Sequence, residues 1–214
     1  MAHDLSPQPV LPPVQEAAPA AGRSALVRRV LVGGFLGLAW GASLRAWMAL
    51  LAVELVDRPR VTWLGAFGGI LLPAAVVGAL LGAAAYDAAT SQSKRWRWAI
   101  LSPLVLAIAA AVATENFVSR LITTGMGGGA IGVALIGLLG GFALSGFGWR
   151  WLRWVAGALA TLPTIAGSAT AATLSASTVF GALLFVLLML LLIAGVSAPS
   201  RFQADQHYAG WRAE

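Results

Sequence analysis

Two side chains of opposite charge lie within long apolar stretches of the chain and could meet as an ion pair. At 1.5 Å per residue of helix, Arg45 lies about 22 Å from Val30, and Glu115 lies about 26 Å from Trp98. An arginine near the centre of a membrane helix costs about 2.5–3.5 kcal/mol, so Arg45 should face the protein, reach outward or find a partner. We predict an Arg45–Glu115 pair that fixes the orientation of two helices. A contact with an ion or substrate, and an outward-reaching arginine without a partner, are the alternatives.

The residue types that the chain lacks exclude several chemistries. It has no cysteine, and its two histidines, His3 and His207, lie near its ends. Disulfide, thiol, iron–sulfur and structural zinc sites are therefore excluded. Proteolysis within a membrane by a metal, by a Ser-His pair or by two aspartates also lacks its residues in the apolar stretches. We expect no catalytic activity, no metal and no cofactor.

Hydroxyl side chains follow one side of the fifth apolar stretch. Thr161, Thr164 and Ser168 are spaced by three and four residues, which places them on one helix face. Hydrogen bonds between helices are the simpler interpretation of such a row. The alternative is that the three hydroxyls line a polar path.

The composition excludes a water-soluble fold. Of the 214 residues, 59% are apolar and 10% are charged, against about 25% charged in a soluble domain, and the mean hydropathy is +0.82. In hydrocarbon every backbone donor and acceptor needs a partner within the protein, and no stretch alternates like a barrel strand. The sequence therefore predicts an all-α, polytopic bundle of transmembrane helices.

The apolar stretches define one membrane domain with two tails. Residues 1–22 are rich in Pro and Ala and predict a disordered cytoplasmic tail, residues 23–198 a transmembrane domain, and residues 199–214 a short cytoplasmic tail. About six spans are long enough to cross a bilayer. They are 29–55, 62–85, 97–118, 129–148, 155–175 and 178–198. The prolines expected to kink spans two, three and five are Pro73, Pro103 and Pro163.

Basic residues near the span ends predict the orientation of the chain. Ten of them fall on one side and three on the other if both termini share a side. Positive charges accumulate in cytoplasmic loops, so we expect both termini in the cytoplasm and an even number of spans in a bacterial plasma membrane. The ten are Arg23, Arg28, Arg29, Lys94, Arg95, Arg97, Arg150, Arg153, Arg201 and Arg212. This charge predicts contact with anionic lipids at the inner face rather than with nucleic acid.

Small residues recur every fourth position in the first and fourth spans. Gly33, Gly37 and Gly41 form one such face, and Gly137, Gly141 and Ser145 form another. Small residues at this interval let helix backbones approach closely, which favours close packing of spans one and four. The glycine run before span four could instead act as a flexible hinge. A glycine face also serves contacts between chains, so a homo-oligomer or a membrane protein partner is compatible with the pattern.

A short motif covers the end of the first span, the first outer loop and the start of the second span. It runs from Arg45 to Leu50 and from Pro59 to Gly65, in the pattern R-x-W-M-x-L followed by P-x-[FV]-[ST]-W-x-G. With this motif the chain resembles a set of uncharacterised small multi-span membrane proteins of actinobacteria. The resemblance implies a helix-loop-helix corner around Arg45 and no established activity. The corner residues are Trp47, Met48, Pro59, Thr62, Trp63 and Gly65.

Two functions are compatible with these residues. The first is a noncatalytic partner, scaffold or assembly component that acts through its glycine faces. The alternative is a transporter or channel-like protein for a small solute or ion, with a polar path near Arg45 and Glu115.

Overall fold

The structure is a computed structural model, and its described residues lie in helices and the turns between them. These residues are 19–55, 64–90, 94–124, 128–146, 148–172 and 176–211. The helices are α1 (Pro19–Leu55), a π-helical segment (Leu64–Leu71), α2 (Leu72–Thr90), a 3₁₀ segment (Lys94–Leu101), α3 (Leu104–Ala113), α4 (Phe117–Thr124), α5 (Gly128–Leu144), α6 (Arg150–Ala172) and α7 (Ala176–Trp211). No strand occurs among the described residues, and the all-α prediction is confirmed.

Several helices have the length and composition of membrane spans. Within the described residues, three qualify: Gly22–Leu50, Gly65–Thr90 and Val179–Ser200. A fourth is added if α3 and α4 are taken as one broken span. Large apolar side chains such as Phe35, which is 70% exposed, cover the outside of the bundle. A surface of this kind suits lipid rather than water. The fold therefore fits a membrane protein, although this criterion yields fewer spans than the six predicted.

The closest helix contact joins α1 to α2, which run antiparallel. A Cβ added at Gly37 would meet the carbonyl group of Ala74 and, at 3.0 Å, the Cα of Gly78. A Cβ added at Gly33 would meet Gly78 and, at 3.1 Å, the Cα of Gly82. Small residues on both helices thus let the two backbones touch. We name the two sets the α1 stripe (Gly33, Gly37, Gly41) and the α2 stripe (Ala74, Gly78, Gly82).

α7 is the central helix of the bundle and contacts α1, α2, α5 and α6. Its residues Met189 and Val196 are 1% exposed. The glycines of α5 face it: a Cβ at Gly137 would lie 2.9 Å from Leu192, and one at Gly141 would meet Val196. The α1 stripe therefore packs on α2, whereas Gly137, Gly140 and Gly141 of α5 pack on α7. This pairing differs from the expected packing of spans one and four.

The prolines accompany changes of helix type or lie inside continuous helices. Pro73 lies in the first turn of α2, directly after the π-helical segment, and Pro103 separates the 3₁₀ segment from α3. Proline has no N–H to donate, and a shift to π or 3₁₀ bonding accommodates the missing bond. Pro163 lies inside α6, as predicted. Pro199 lies inside α7, which continues to Trp211 where the sequence predicts a tail.

The third predicted span, 97–118, is broken before its end. α3 ends at Ala113, Thr114 is extended, and Asn116 has a φ of 52°. Asparagine tolerates this left-handed conformation better than most residues. The chain thereby turns by 104° into α4. At the other end of the chain, α1 begins within the predicted tail 1–22, and residues 1–18 lie outside the described residues.

A tight turn connects α5 to α6. Gly146 and Gly148 both adopt positive φ values, 78° and 76°. Residues with a Cβ rarely adopt such values, whereas glycine does so readily. Arg153 of α6 donates from Nε to the carbonyl oxygen of Ala143 at 3.0 Å. The buried Ser145 donates its hydroxyl hydrogen within the same last turn of α5. The carboxyl end of α5 is thus capped by a basic side chain, as the helix dipole favours.

Candidate functional site

An apolar groove of 820 Å³ lies between α1 and α7 and has α2 as its floor. Leu36 of α1 and Leu191 of α7 line its walls, and Gly78 lies in its floor. We name it the α1–α7 groove. The four residues with polar side-chain groups that line it are Arg28, Arg29, Trp40 and Ser43. Ser43 donates to the carbonyl oxygen of Ala39 on its own helix, so it offers its hydroxyl proton to no ligand.

Two tryptophans of α1 donate hydrogen bonds to α7, one within the lining of this groove and one beyond it. Trp40 donates from Nε1 to the carbonyl oxygen of Leu188 at 2.9 Å, and Trp47 donates to that of Gly181 at 2.8 Å. The Trp47 ring also stacks on Phe185, with ring centroids 4.5 Å apart. The donors and the acceptors are each two helical turns apart, so the two bonds hold antiparallel helices in one register. Trp40 and Ser43 line the end of the groove that lies away from the arginines.

The opposite end of the groove is basic. Arg29 donates from Nη1 to the carbonyl oxygen of Ala85 at 2.8 Å, and its guanidinium carbon lies 6.0 Å from the centre of the Tyr86 ring. Arg28 is exposed beside it and also lines the groove. The groove therefore combines a hydrocarbon body with a cationic opening.

Neighbouring elements place further predicted basic clusters at this same end, which we name the basic end. Trp96, on the 3₁₀ segment with Lys94, Arg95 and Arg97, packs against Ala84 and Ala88 near the end of α2. The α5–α6 turn and the part of α7 near Val196 also lie at the basic end, because α2, α5 and α7 run in the same direction.

A second cavity of 550 Å³ lies at the basic end between α1, α2 and the 3₁₀ segment. Tyr86 and Asp87 line it, together with Ser102. Ser102 is 4% exposed, and its hydroxyl has no hydrogen-bond partner in the described part of the chain. This cavity is separate from the groove, and its carboxylate is absent from the groove lining.

The structure does not join Arg45 to Glu115. Arg45 is half-buried on α1, while Glu115 is exposed in the turn between α3 and α4. No ion pair or hydrogen bond of either side chain occurs among the described residues. The physical reason is the break after Ala113, which moves Glu115 off the helix on which the prediction placed it.

The motif residues fall partly outside the described structure. Pro59, Thr62 and Trp63 lie outside the described residues, so the corner they were expected to form has no structural account. Met48 is half-buried on α1, and Gly65 lies in the π-helical segment. Trp47 does take a defined position, but against α7.

The hydroxyls of α6 are bonded within their own helix. Thr161 donates to the carbonyl oxygen of Gly157 at 3.0 Å and is exposed on the outside of the bundle. Thr164 and Ser168 donate to backbone carbonyl oxygens three or four residues earlier, both at 2.8 Å. Within the described part of the chain, the three side chains neither bond another helix nor line either cavity.

Several important residues were missed by the sequence analysis. The α2 stripe repeats every fourth position, and this spacing alone could have identified it as the partner of the α1 stripe. Trp40 was also missed, although its distance from Trp47 is two helical turns. No sequence signal identifies the backbone acceptors Gly181 and Leu188.

Comparison with known proteins adds no assignment: no family model, curated protein or solved structure matches the chain. Within the described part of the chain, no three His, Cys, Asp or Glu side chains come together as metal ligands.

Proposed function

We propose that this protein is a noncatalytic component of a bacterial plasma membrane, which acts as a partner or assembly subunit. The observation that carries this proposal is the hydrogen bonding of five polar side chains on α1 and α6. The hydroxyls of Thr161, Thr164 and Ser168 and the indole N–H groups of Trp40 and Trp47 all donate to backbone carbonyls. Donors engaged in this way are already satisfied and offer little to a passing solute.

The assembly role would use the outward face of α1. Of the three helices in the described residues that are both long and apolar enough to span a membrane, α1 is the least covered, with 6% of its most apolar window buried against 33% for the last helix. Its exposed side chains include Leu31, Phe35 and Leu38, at helical spacing. A peripheral helix with a continuous apolar face suits contact with the helix of another membrane protein or of a second copy.

We also propose six crossings with both termini in the cytoplasm. The directions of the helices support this number: α1 runs opposite to α2 and α7, while α5 runs parallel to α7 and opposite to α6. With the 3₁₀ segment and α3 as the third crossing, direction alternates along the chain. The basic clusters then share one end, as the asymmetry of positive charge requires.

Native mass spectrometry of the protein extracted in mild detergent tests the assembly role. We expect a second polypeptide, either a copy or a different subunit, at fixed stoichiometry. Replacing Phe35 with Ser on the outward face should remove that mass, whereas replacing the equally exposed Phe180 of α7 with Ser should not. A chain that is monomeric under every extraction condition would contradict the proposal.

Cysteine labelling separates this role from transport. Single cysteines at Thr164 and Ser168, in a chain with no other cysteine, should resist a small water-soluble thiol reagent in native membranes. Ser24 on exposed α1 provides the reactive control. Rapid labelling at both α6 positions would indicate a wet path and favour a solute transporter instead.

A further inference from the structure

The shape of the α1–α7 groove matches one leaflet of a bilayer. From Arg28 at its basic opening to Ser43 at the opposite end of its lining, α1 rises about 22 Å at 1.5 Å per residue. One leaflet with its head-group region is about 20–22 Å thick, since the whole bilayer is about 40–45 Å. A ligand whose head lies at the membrane surface and whose tail ends near the midplane would fill this length.

The groove has room for an extended hydrocarbon chain. Such a chain is thinner than an α-helix, whose diameter with side chains is about 10–12 Å, and the 820 Å³ between α1 and α7 accommodates it.

The charges at the groove select the head group. Among the described residues, its lining carries two arginines at one end and no acidic residue. Between the arginines and Trp40, the walls are aliphatic side chains and glycine backbone, and the N–H of Trp40 is already engaged with Leu188. Arg29 is held by Ala85, so the exposed Arg28 is the side chain that can reach a phosphate above the groove.

We propose that the α1–α7 groove is a binding site for an anionic phospholipid. One acyl chain lies along α2 between Leu36 and Leu191, and the phosphate lies at Arg28 and Arg29. The site does not depend on the assembly role proposed above, because the outward face of α1 and the groove are different surfaces. It requires only that the basic end lie at a membrane surface.

Competition between lipids tests the head-group selection. The detergent-purified protein is given equal amounts of phosphatidylglycerol and phosphatidylcholine with identical acyl chains, and bound lipid is counted by native mass spectrometry. We expect one phosphatidylglycerol per chain, retained about tenfold over phosphatidylcholine, because both lipids offer a phosphate but choline adds a positive charge that the two arginines repel. Arg28→Gln should abolish this preference. Arg23→Gln, a matched change of an exposed arginine outside the groove lining, should preserve it.

Filling the groove tests the position of the acyl chain. Ala39 lines the groove and is exposed, whereas the exposed Ala42 does not line it. Ala39→Trp should reduce bound phosphatidylglycerol about tenfold, and Ala42→Trp should leave it unchanged; unfolding temperatures measured without lipid verify that both variants fold. Equal retention of the two lipids, loss with Arg23→Gln, or full binding by Ala39→Trp would overturn the site. Preferential retention of an added fatty acid would overturn the phospholipid assignment.

Discussion

Individual side chains join helices here mainly through backbone acceptors. Trp40 and Trp47 reach carbonyl oxygens of α7, Arg29 one of α2, and Arg153 one of α5. Because a backbone carbonyl occurs at every position, this form of contact needs no matching side chain on the second helix. The sequence therefore contains the donors but not the positions of their acceptors.

Removal of the indole donors should weaken the contact between α1 and α7. Trp40→Phe loses the bond to Leu188 and should lower the free energy of unfolding by about 0.5–1.5 kcal/mol, with a similar loss for Trp47→Phe, whose ring still stacks on Phe185. Chemical denaturation in detergent measures both. Trp154→Phe, at a residue that is 75% exposed, should change stability little. Equal effects at all three positions would argue against the bonds.

The charged residues show where reasoning about single residues fails. Depth along straight helices placed Arg45 and Glu115 at one level, but α3 ends before Glu115 is reached. Thr114, Glu115 and Asn116 carry no proline or glycine to mark that end. The break rests on backbone conformation, with a positive φ at Asn116, which local composition does not specify.

Pairs of helices were harder to predict than the helices themselves. Five predicted spans overlap α1, α2, α5, α6 and α7, because hydrocarbon demands continuous backbone bonding. Their ends were less exact: α1 begins about ten residues earlier and α7 ends about thirteen residues later than predicted. A glycine stripe, in contrast, predicts that another helix packs closely against it but does not identify that helix. Recognising the α2 stripe in the adjacent span would have identified α2 as the helix that packs on the α1 stripe. Two consecutive antiparallel helices need only a short loop between them, and closing a short loop costs little entropy.

Enlarging one member of the α1 stripe should separate α1 from α2. Gly37→Ala adds a Cβ against backbone atoms of Ala74 and Gly78 and should lower the free energy of unfolding by about 1–3 kcal/mol. Gly132→Ala on α5 meets nothing within 4 Å and should raise it by about 0.5–1 kcal/mol, through helix propensity. Thermal unfolding in detergent compares the two. Stabilisation by both substitutions would contradict close α1–α2 contact.

The turn between α5 and α6 should be sensitive to backbone conformation alone. A Cβ at Gly146 meets nothing within 4 Å, but its φ is 78°. Gly146→Ala should therefore cost about 1–2 kcal/mol, and Gly146→Asn less, because asparagine visits the left-handed region more readily. Unfolding measurements on both variants test this order, and the reverse order would contradict the turn conformation.

At the scale of the whole molecule, the proposed orientation places the basic end at the cytoplasmic side of the membrane. Single cysteines at Ser24 near this end and at Thr123 on α4 should face opposite sides. An impermeant maleimide added to intact cells should label only Thr123→Cys, and permeabilised cells should label both. Protection of Thr123→Cys together with labelling of Ser24→Cys would reverse the proposed orientation, and labelling of both in intact cells would refute the number of crossings.

Similar short segments in the two halves of the chain pack on different partners. Gly33-Gly34-Phe35 and Gly140-Gly141-Phe142 resemble each other, and either half has a proline in its middle helix. Gly33 packs on the next helix in the chain, whereas Gly140 and Gly141 pack on α7, two helices further on. An inverted repeat would place both on equivalent partners.

The contact between the α1 and α2 stripes limits how the chain can change over generations. The Cβ of an alanine at Gly37 would contact main-chain atoms of Ala74 and Gly78. Every amino acid has a carbonyl oxygen and a Cα, so no substitution at these two positions removes the contact. Second-site suppressors of Gly37→Ala therefore cannot arise by shrinking the opposing residue. They must instead move one helix as a unit, through mutations in its connecting loops or at its far contacts.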